Sequence, residues 1–300
     1  MVHGTSDITI RVAYGSLAVA IVVLALKGFS AWTTGSIALY SDALESVVNV
    51  VTAVVALVAV RLASRPASAT LPYGYHKAEY FSAVFIGIFI AVAAMLIFRE
   101  AWLGFVNPRD FKLDPLGLGV SVAATAINAI WAVWLTRTGR EARSPALEAD
   151  GKHLWTDVLS TIGVLAGVLL AAATGYRQLD AVLAAFVGVT ILWSGWQVIR
   201  SSVIGLMDVA VDPAMLKQIK EIISVNATGA IEAHDIRTRQ AGKMTFIDFH
   251  LVVPGAMSVE AAHTICDAIE AKLREQVAGA QITIHVEPEQ KAKHSGIIVV

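Results

Sequence analysis

The chain holds a single cysteine, Cys266, in 300 residues. One thiol excludes an internal disulfide and a cysteine-built zinc module, and leaves core packing as its expected role. Charge is scarce too: 16% of residues are Asp, Glu, Lys or Arg, against about 25% in a soluble domain. A net charge of −1 offers no basic surface to a nucleic-acid backbone, so no nucleic-acid partner is expected. There is no HExxH motif, and no Ser/Lys nucleophile pair in the apolar segments. A membrane hydrolase would need a base beside a metal-bound water or an activated nucleophile, so an enzyme is not expected. Residues 1–16 lack a basic leader region and a small-residue cleavage site, so the first apolar segment is expected to stay attached.

What the chain has in quantity is apolar length. Hydrophobic residues make up 56% of it, and its mean hydropathy is +0.65. Six segments are long enough to cross a bilayer, near residues 8–30, 37–62, 78–97, 116–135, 153–173 and 179–203. All must be helical, because hydrocarbon offers backbone groups no partners. Arg61, Arg65 and Lys77 flank one connection, and Arg137, Arg140, Arg143 and Lys152 another. The opposite connections carry fewer basic residues, so the positive-inside rule puts both termini in the cytoplasm. A bacterial inner membrane is the expected location.

The composition turns polar after about residue 206. Asp212-Pro213 opens a helix. Residues 230–239 and 244–253 alternate as strands about a turn at Ala241-Gly242, Ser258 caps a helix to about residue 277, and 281–286 form a third strand. The expected fold class is therefore an α-helical membrane protein of six transmembrane helices, residues 1–206, followed by a small ferredoxin-like α+β cytoplasmic domain, 207–290. A loose tail, 291–300, ends the chain.

Two polar stripes interrupt the apolar spans. In span five His153 and Asp157 lie four residues apart, on one helical face with Asp150 before them and Ser160 after. In span two Asp42, Glu45, Ser46, Asn49 and Thr52 recur at three and four residues. An ionisable group in a span costs about 2.5–3.5 kcal/mol on the insertion scale, so such groups signal function or a polar partner. A His and an Asp at this spacing are half of a tetrahedral metal site. Glu45, Asn49, His153 and Asp157 are the expected four ligands, with Asp42 a further ligand, a supporting group or a cap. The alternative is interhelical hydrogen bonding without a metal.

These residues resemble the cation diffusion facilitator family of divalent-metal/proton antiporters. The span-two run from Gly35-Ser36 through Asp42 to Ser46 is similar to that family's signature. So are Pro72 to Glu79 at the start of span three, His153 to Asp157 in span five, and Leu206-Met207-Asp208 with Asp212-Pro213. His234 to Arg237, Asp248 to His250, the helix with His263, and His285 to Pro288 resemble its cytoplasmic domain. The resemblance implies a homodimer in the lipid bilayer, a four-ligand transport site between spans two and five, alternating access driven by proton exchange, and a cytoplasmic domain that binds metal. His234, His250, His263 and His285 are then the expected cytoplasmic ligands, with Glu287 bridging or supporting them; a dimer surface without metal is the alternative.

The chain departs from the family pattern at Glu45 and Asn49, where His or Asp and then Asp are usual. One nitrogen and three oxygens remain. Oxygen-rich sets tilt toward manganese or ferrous iron; the retained His/Asp half keeps zinc the first candidate, with manganese, iron(II), cobalt and cadmium as others. The substitution also leaves open a transport-deficient sensor or scaffold of the same fold. In the connection between spans two and three, residues 68–75 hold no His or Asp, so no site is expected there.

Overall fold

The computed structural model describes residues 2–34, 37–107, 115–176, 178–294 and 297–298. They divide into two compact units, residues 3–203 and 204–300.

The first unit consists of six long helices: α1 (Val2–Thr34), α2 (Ile37–Ala63), α3 (Ala78–Val106), α4 (Pro115–Glu141), α5 (Pro145–Thr174) and α6 (Gln178–Leu206). Five carry apolar runs long enough to span a membrane, and α5, at 30 residues, has the length as well. Large apolar side chains such as Phe85, Ile130, Phe186 and Trp193 stand exposed on their outer faces. A surface of this kind is suited to lipid and not to water. Helix α5 starts two turns before the expected residue 153, because Ser144-Pro145 is a start signal. The Ser144 carbonyl accepts from Glu148 N at 3.1 Å, and Pro stands where the first-turn N–H has no partner anyway. Asp150 and His153 thus lie inside a continuous helix. The buried Glu79 carboxylate, at the start of α3, accepts from the Ser144 hydroxyl and ties the two helix starts together.

Small residues let α4 and α5 approach closely. A Cβ on Gly151 would lie 2.9 Å from Thr136 N, and one on Gly139 would lie 2.7 Å from Glu148 N. Close backbone approach through glycine is how helices pack where lipid removes the hydrophobic drive. At one end of the bundle the Arg61 guanidinium on α2 sits 4.9 Å from the Tyr14 ring centroid on α1.

The second unit packs two helices, α7 (Pro213–Asn226) and α8 (Val259–Gln276), on one face of a sheet of β1 (Glu232–Ala241), β2 (Met244–Val253), β3 (Ala280–Pro288) and β4 (Ile297–Ile298). The strand order is β3-β2-β1-β4. Asp212 caps α7, accepting from Ala214 N and Met215 N at 3.0 Å each, and Ser258 caps α8. Ile247, Phe249 and Leu251 of β2 pack with Ile219, Ile223, Ile269 and Leu273 of the helices. Cys266 lies in this core. Burial, and then the charges of Glu270 and Asp267, push its thiol above the usual range, so packing is its role. The stretch expected to be loose is tied down where described. Ile297 and Ile298 pair antiparallel with Ala233 and Glu232, Lys293 Nζ reaches Asp235 at 2.6 Å, and His294 N donates to Glu232 at 2.9 Å.

Gly151→Ala is expected to lower the melting temperature of the detergent-solubilised protein, since overpacking costs about 1–3 kcal/mol. Gly28→Ala meets nothing within 4 Å and should leave the melting temperature near wild type in the same fluorescence-monitored scan.

Candidate metal sites in the membrane and cytoplasmic units

Within the helical unit, polar side chains collect on the inward faces of α1, α2, α4 and α5. Ser46, Asn49 and Thr52 of α2 are all buried, as are Asp150, His153, Asp157 and Ser160 of α5. Thr52 donates to the Asn49 carbonyl at 3.0 Å and lies beside the Asp150 carboxylate, so the two stripes face each other. Helices two and five cross in opposite directions. Stepping back one turn from Thr52 reaches Asn49, and stepping forward one turn from Asp150 reaches His153. At about 1.5 Å of rise per residue both steps cover the same height. Asn49 and His153 thus each lie one turn from this contact, both buried. The side chains of Glu45 and Asp42 lie outside the described residues.

The donors here are unevenly satisfied. Asp157 Oδ2 accepts from Asn128 Nδ2 of α4 at 2.9 Å and stands 3.3 Å from Lys27 Nζ of α1. Asp150 Oδ2 accepts from Ser16 Oγ at 2.5 Å. Among the described residues, both ring nitrogens of His153, Asn49 Nδ2 and Asp150 Oδ1 are buried with no hydrogen-bond partner. Each such atom costs about 1–3 kcal/mol. By contrast Thr156 donates to the His153 carbonyl, and Ser160 and Thr161 donate to the Asp157 carbonyl, at 2.6, 2.9 and 3.0 Å. Those hydroxyls are spent within their own helix and add no outward-facing donor.

Lys27 and Asn128 were missed in the sequence. Lys27 is an ionisable residue inside an apolar run, the signal already used for Asp157. Asn128 continues a buried α4 face with Ser121 and Thr125 at helical spacing.

In the cytoplasmic unit, the sheet face turned away from the helices carries a histidine row. His234 is paired in register with His250, and His250 with His285. Ring centroids are 5.3 and 5.0 Å apart. Glu287 stands among them: one oxygen lies 3.3 Å from His234 Nε2, the other 3.3 Å from His250 Nδ1 and 3.7 Å from His285 Nε2. Glu232 approaches His234 Nδ1 at 3.5 Å. None of these contacts has hydrogen-bond geometry at His234 or at His250 Nδ1. Lone pairs held near carboxylates without a shared proton are the donor set a cation uses.

Asp235 also joins this group. Strand alternation would send it to the opposite face from His234, but the β1–β2 register shifts between His234 and Arg237, and Asp235 has φ 52°. This is a β-bulge, with an Asp in the left-handed region that it tolerates better than most residues. The bulge gathers a nitrogen of His234, a carboxylate oxygen of Asp235 and a nitrogen of His250 within 4.8 Å of one another. The sequence held the clue: Ala233 and Ile236 both pack into the core, and inward positions three apart cannot fit an unbroken alternation. The Lys293 hydrogen bond holds the Asp235 carboxyl below its ordinary range. His263 is not brought to the row within one chain. It sits exposed on α8, 3.7 Å from Asp267, because its place beside the stripe of Ala262, Cys266 and Ile269 points it to solvent.

A family model described as the cation efflux transmembrane domain matches residues 13–207. The chain belongs to the cation diffusion facilitator family. The family's cytoplasmic-domain model matches residues 211–289. A Synechocystis sp. protein described as an uncharacterized transporter is 40% identical over 278 residues, 93% of this chain and 90% of that one. The cation-efflux pump FieF of Yersinia pestis is 30% identical over 276 residues, 92% and 91% of the two chains. A solved zinc-form structure of a proposed zinc transporter, CzrB, aligns over 28% of this chain and 96% of that one, at 42% identity and a TM-score of 0.27. The chain is thus an integral membrane protein of a divalent-cation efflux family, and its members are transporters, not enzymes.

Asp235→Ala in the full-length protein is expected to weaken zinc binding at the cytoplasmic row by about tenfold or more, read by competition with a chromophoric chelator. His263→Ala is expected to change it little in the same assay.

Proposed function

We propose that this chain exports a divalent transition-metal cation, zinc first, from the cytoplasm in exchange for protons. The observation that carries the reading is the buried His153 ring, with two unpartnered nitrogens, in the same electrostatic neighbourhood as Asp157. A histidine kept only to hold helices together would find a hydrogen bond. A histidine kept for a cargo ion leaves a lone pair free.

On this reading Asn49, His153 and Asp157, with Glu45 from the same face of α2, replace the water shell of the ion when the bundle is open to the cytoplasm. Metal ligands must be deprotonated, so loading releases protons. After the helices rock, protons arriving from the far side compete for the same donors and expel the ion. Two carboxylates against a divalent cation bring these ligands and their cargo to formal neutrality, which lowers the cost of crossing hydrocarbon. Zinc accepts such a mixed set at about 2.0–2.2 Å for its oxygens and nitrogens. Its place ahead of manganese or iron(II) rests on the His/Asp half.

The chain works as a homodimer in a bacterial inner membrane, with both termini cytoplasmic. The row of His234, Asp235, His250, His285 and Glu287 then senses cytoplasmic metal. Occupation of that row shifts transport to the extent that the metal binds one dimer arrangement more tightly than the other.

Proteoliposomes carrying the wild-type protein are expected to acidify or alkalinise when a zinc gradient is applied, in the sense of proton exchange, and Asp157→Ala or His153→Ala should abolish that signal in a protein that still elutes as a dimer. A wild-type protein that is well folded and binds zinc at the cytoplasmic row, yet moves no proton with zinc, manganese, iron(II), cobalt or cadmium, would establish the sensor reading instead.

A further inference from the structure

Lys27 is the least expected charge in the membrane unit. It lies in α1 about two helical turns before that helix ends at Thr34. A lysine so placed ordinarily extends its stem to the water interface and keeps its ammonium wet. Here the side chain is wholly buried, with Nζ turned inward to 3.3 Å from Asp157 Oδ2. The bilayer does not account for that direction. Asp157 does. The same oxygen also accepts from Asn128, so one atom of a proposed cargo ligand is held from two other helices, α1 and α4.

We propose that Lys27 is a tethered competitor for the cargo. Its ammonium holds Asp157 when the site is empty and must yield that carboxylate when a metal enters. This rests on Asp157 being a transport ligand. Two consequences follow from charge alone. First, a monovalent ion gains nothing by replacing an ammonium on Asp157, since it exchanges one positive charge for another. A divalent ion gains the second charge, and at short range in a poorly polarisable interior that difference is large. Lys27 therefore acts as a valence filter against the sodium and potassium that outnumber transition metals in any cell. Second, the displaced ammonium stays beside the occupied site and repels the bound ion. That weakens the hold on the metal and speeds its release, so affinity is given up for turnover.

A purely structural lysine predicts something different. If Lys27 only neutralises a buried Asp157 for folding, removing it should leave a misplaced carboxylate, weaker metal binding and lower stability together. Breaking a buried pair commonly costs about 3–5 kcal/mol, so a test must survive partial loss of stability.

The experiment uses the full-length protein in four forms: wild type, Lys27→Met, Lys27→Arg and Lys27→Met/Asp157→Asn. Zinc affinity at the membrane site is measured by equilibrium binding in a background with the cytoplasmic row disabled by Asp235→Ala and His250→Ala, and zinc flux is measured in proteoliposomes. Lys27→Met is expected to tighten binding and lower the apparent KM by about fivefold or more, while the maximal rate falls. Lys27→Arg keeps the charge and should stay near wild type in affinity. Sodium at about 0.1 M, against choline as the matched control, should compete with zinc in Lys27→Met and not in wild type. With Asp157 already neutral the contact between the two is weakened, so Lys27→Met should change zinc affinity less in the Asp157→Asn background than in wild type.

Weaker zinc binding in a well-folded Lys27→Met, or sodium insensitivity in that variant, would overturn the proposal. So would a Lys27→Met effect of unchanged size in the Asp157→Asn background. If wild type carries no flux, the transport reading fails by itself, and the binding and sodium measurements still decide the role of Lys27.

Discussion

In hydrocarbon a polar side chain can be satisfied only by another polar side chain, a backbone carbonyl within reach, or a bound ion. The membrane unit is arranged under that constraint. Ser160 and Thr161 settle on the Asp157 carbonyl, Ser16 settles on Asp150 and Thr52 on the Asn49 carbonyl, and Lys27 and Asn128 settle on Asp157. On the proposed reading, what is left over after these pairings is the place for the cargo. His153 is left with both nitrogens and Asn49 with its amide. A transport site can be found in this way as the remainder of a hydrogen-bond inventory.

The cytoplasmic unit solves a different problem. Water reaches His285 there, while His234 is buried against the sheet. What matters is that a rigid ladder fixes their spacing. In-register pairing of β1 with β2 and β2 with β3 lines up three imidazoles, and Glu287 reaches all three from the next inward step of β3. Rows of this kind come without chain flexibility, because a helix layer of Ile219, Ile223, Ile269 and Leu273 clamps the other face. The two sites thus differ in how they are held: one by mutual polar need among helices, the other by a hydrophobic layer behind a sheet.

Much of this was legible in the sequence, and the reasons for success and failure are physical. The long apolar runs gave the six helices, since lipid leaves no other choice of backbone. Three- and four-residue spacing located the faces of α2 and α5, and alternation located His250 and His285. Boundaries were less legible: α5 begins at Pro145 because a Ser-Pro start outranks the hydropathy that suggested residue 153. Lys27 was passed over, since hydropathy says nothing about which way a long side chain turns. Asp235 was left out of the cytoplasmic ligand set because reading 230–239 as an alternating strand gives no sign of a bulge. His263 was grouped with the row through resemblance to the family, and one chain's geometry places it on the far layer.

The bulge at Asp235 separates the fate of the cytoplasmic site from that of the fold. It inserts one residue between two inward positions, Ala233 and Ile236, at a point where the pairing of β1 and β2 resumes immediately on either side. Losing that one codon would restore plain alternation, keep both strands, their hydrophobic layer and the histidine row, and take away the Asp235 carboxylate. Gaining it would do the reverse. The carboxylate of this donor group can therefore be added or removed along a lineage by a single codon, while the strands on either side keep their pairing. The membrane site has no such freedom, because its residues are also the ones that hold its helices together.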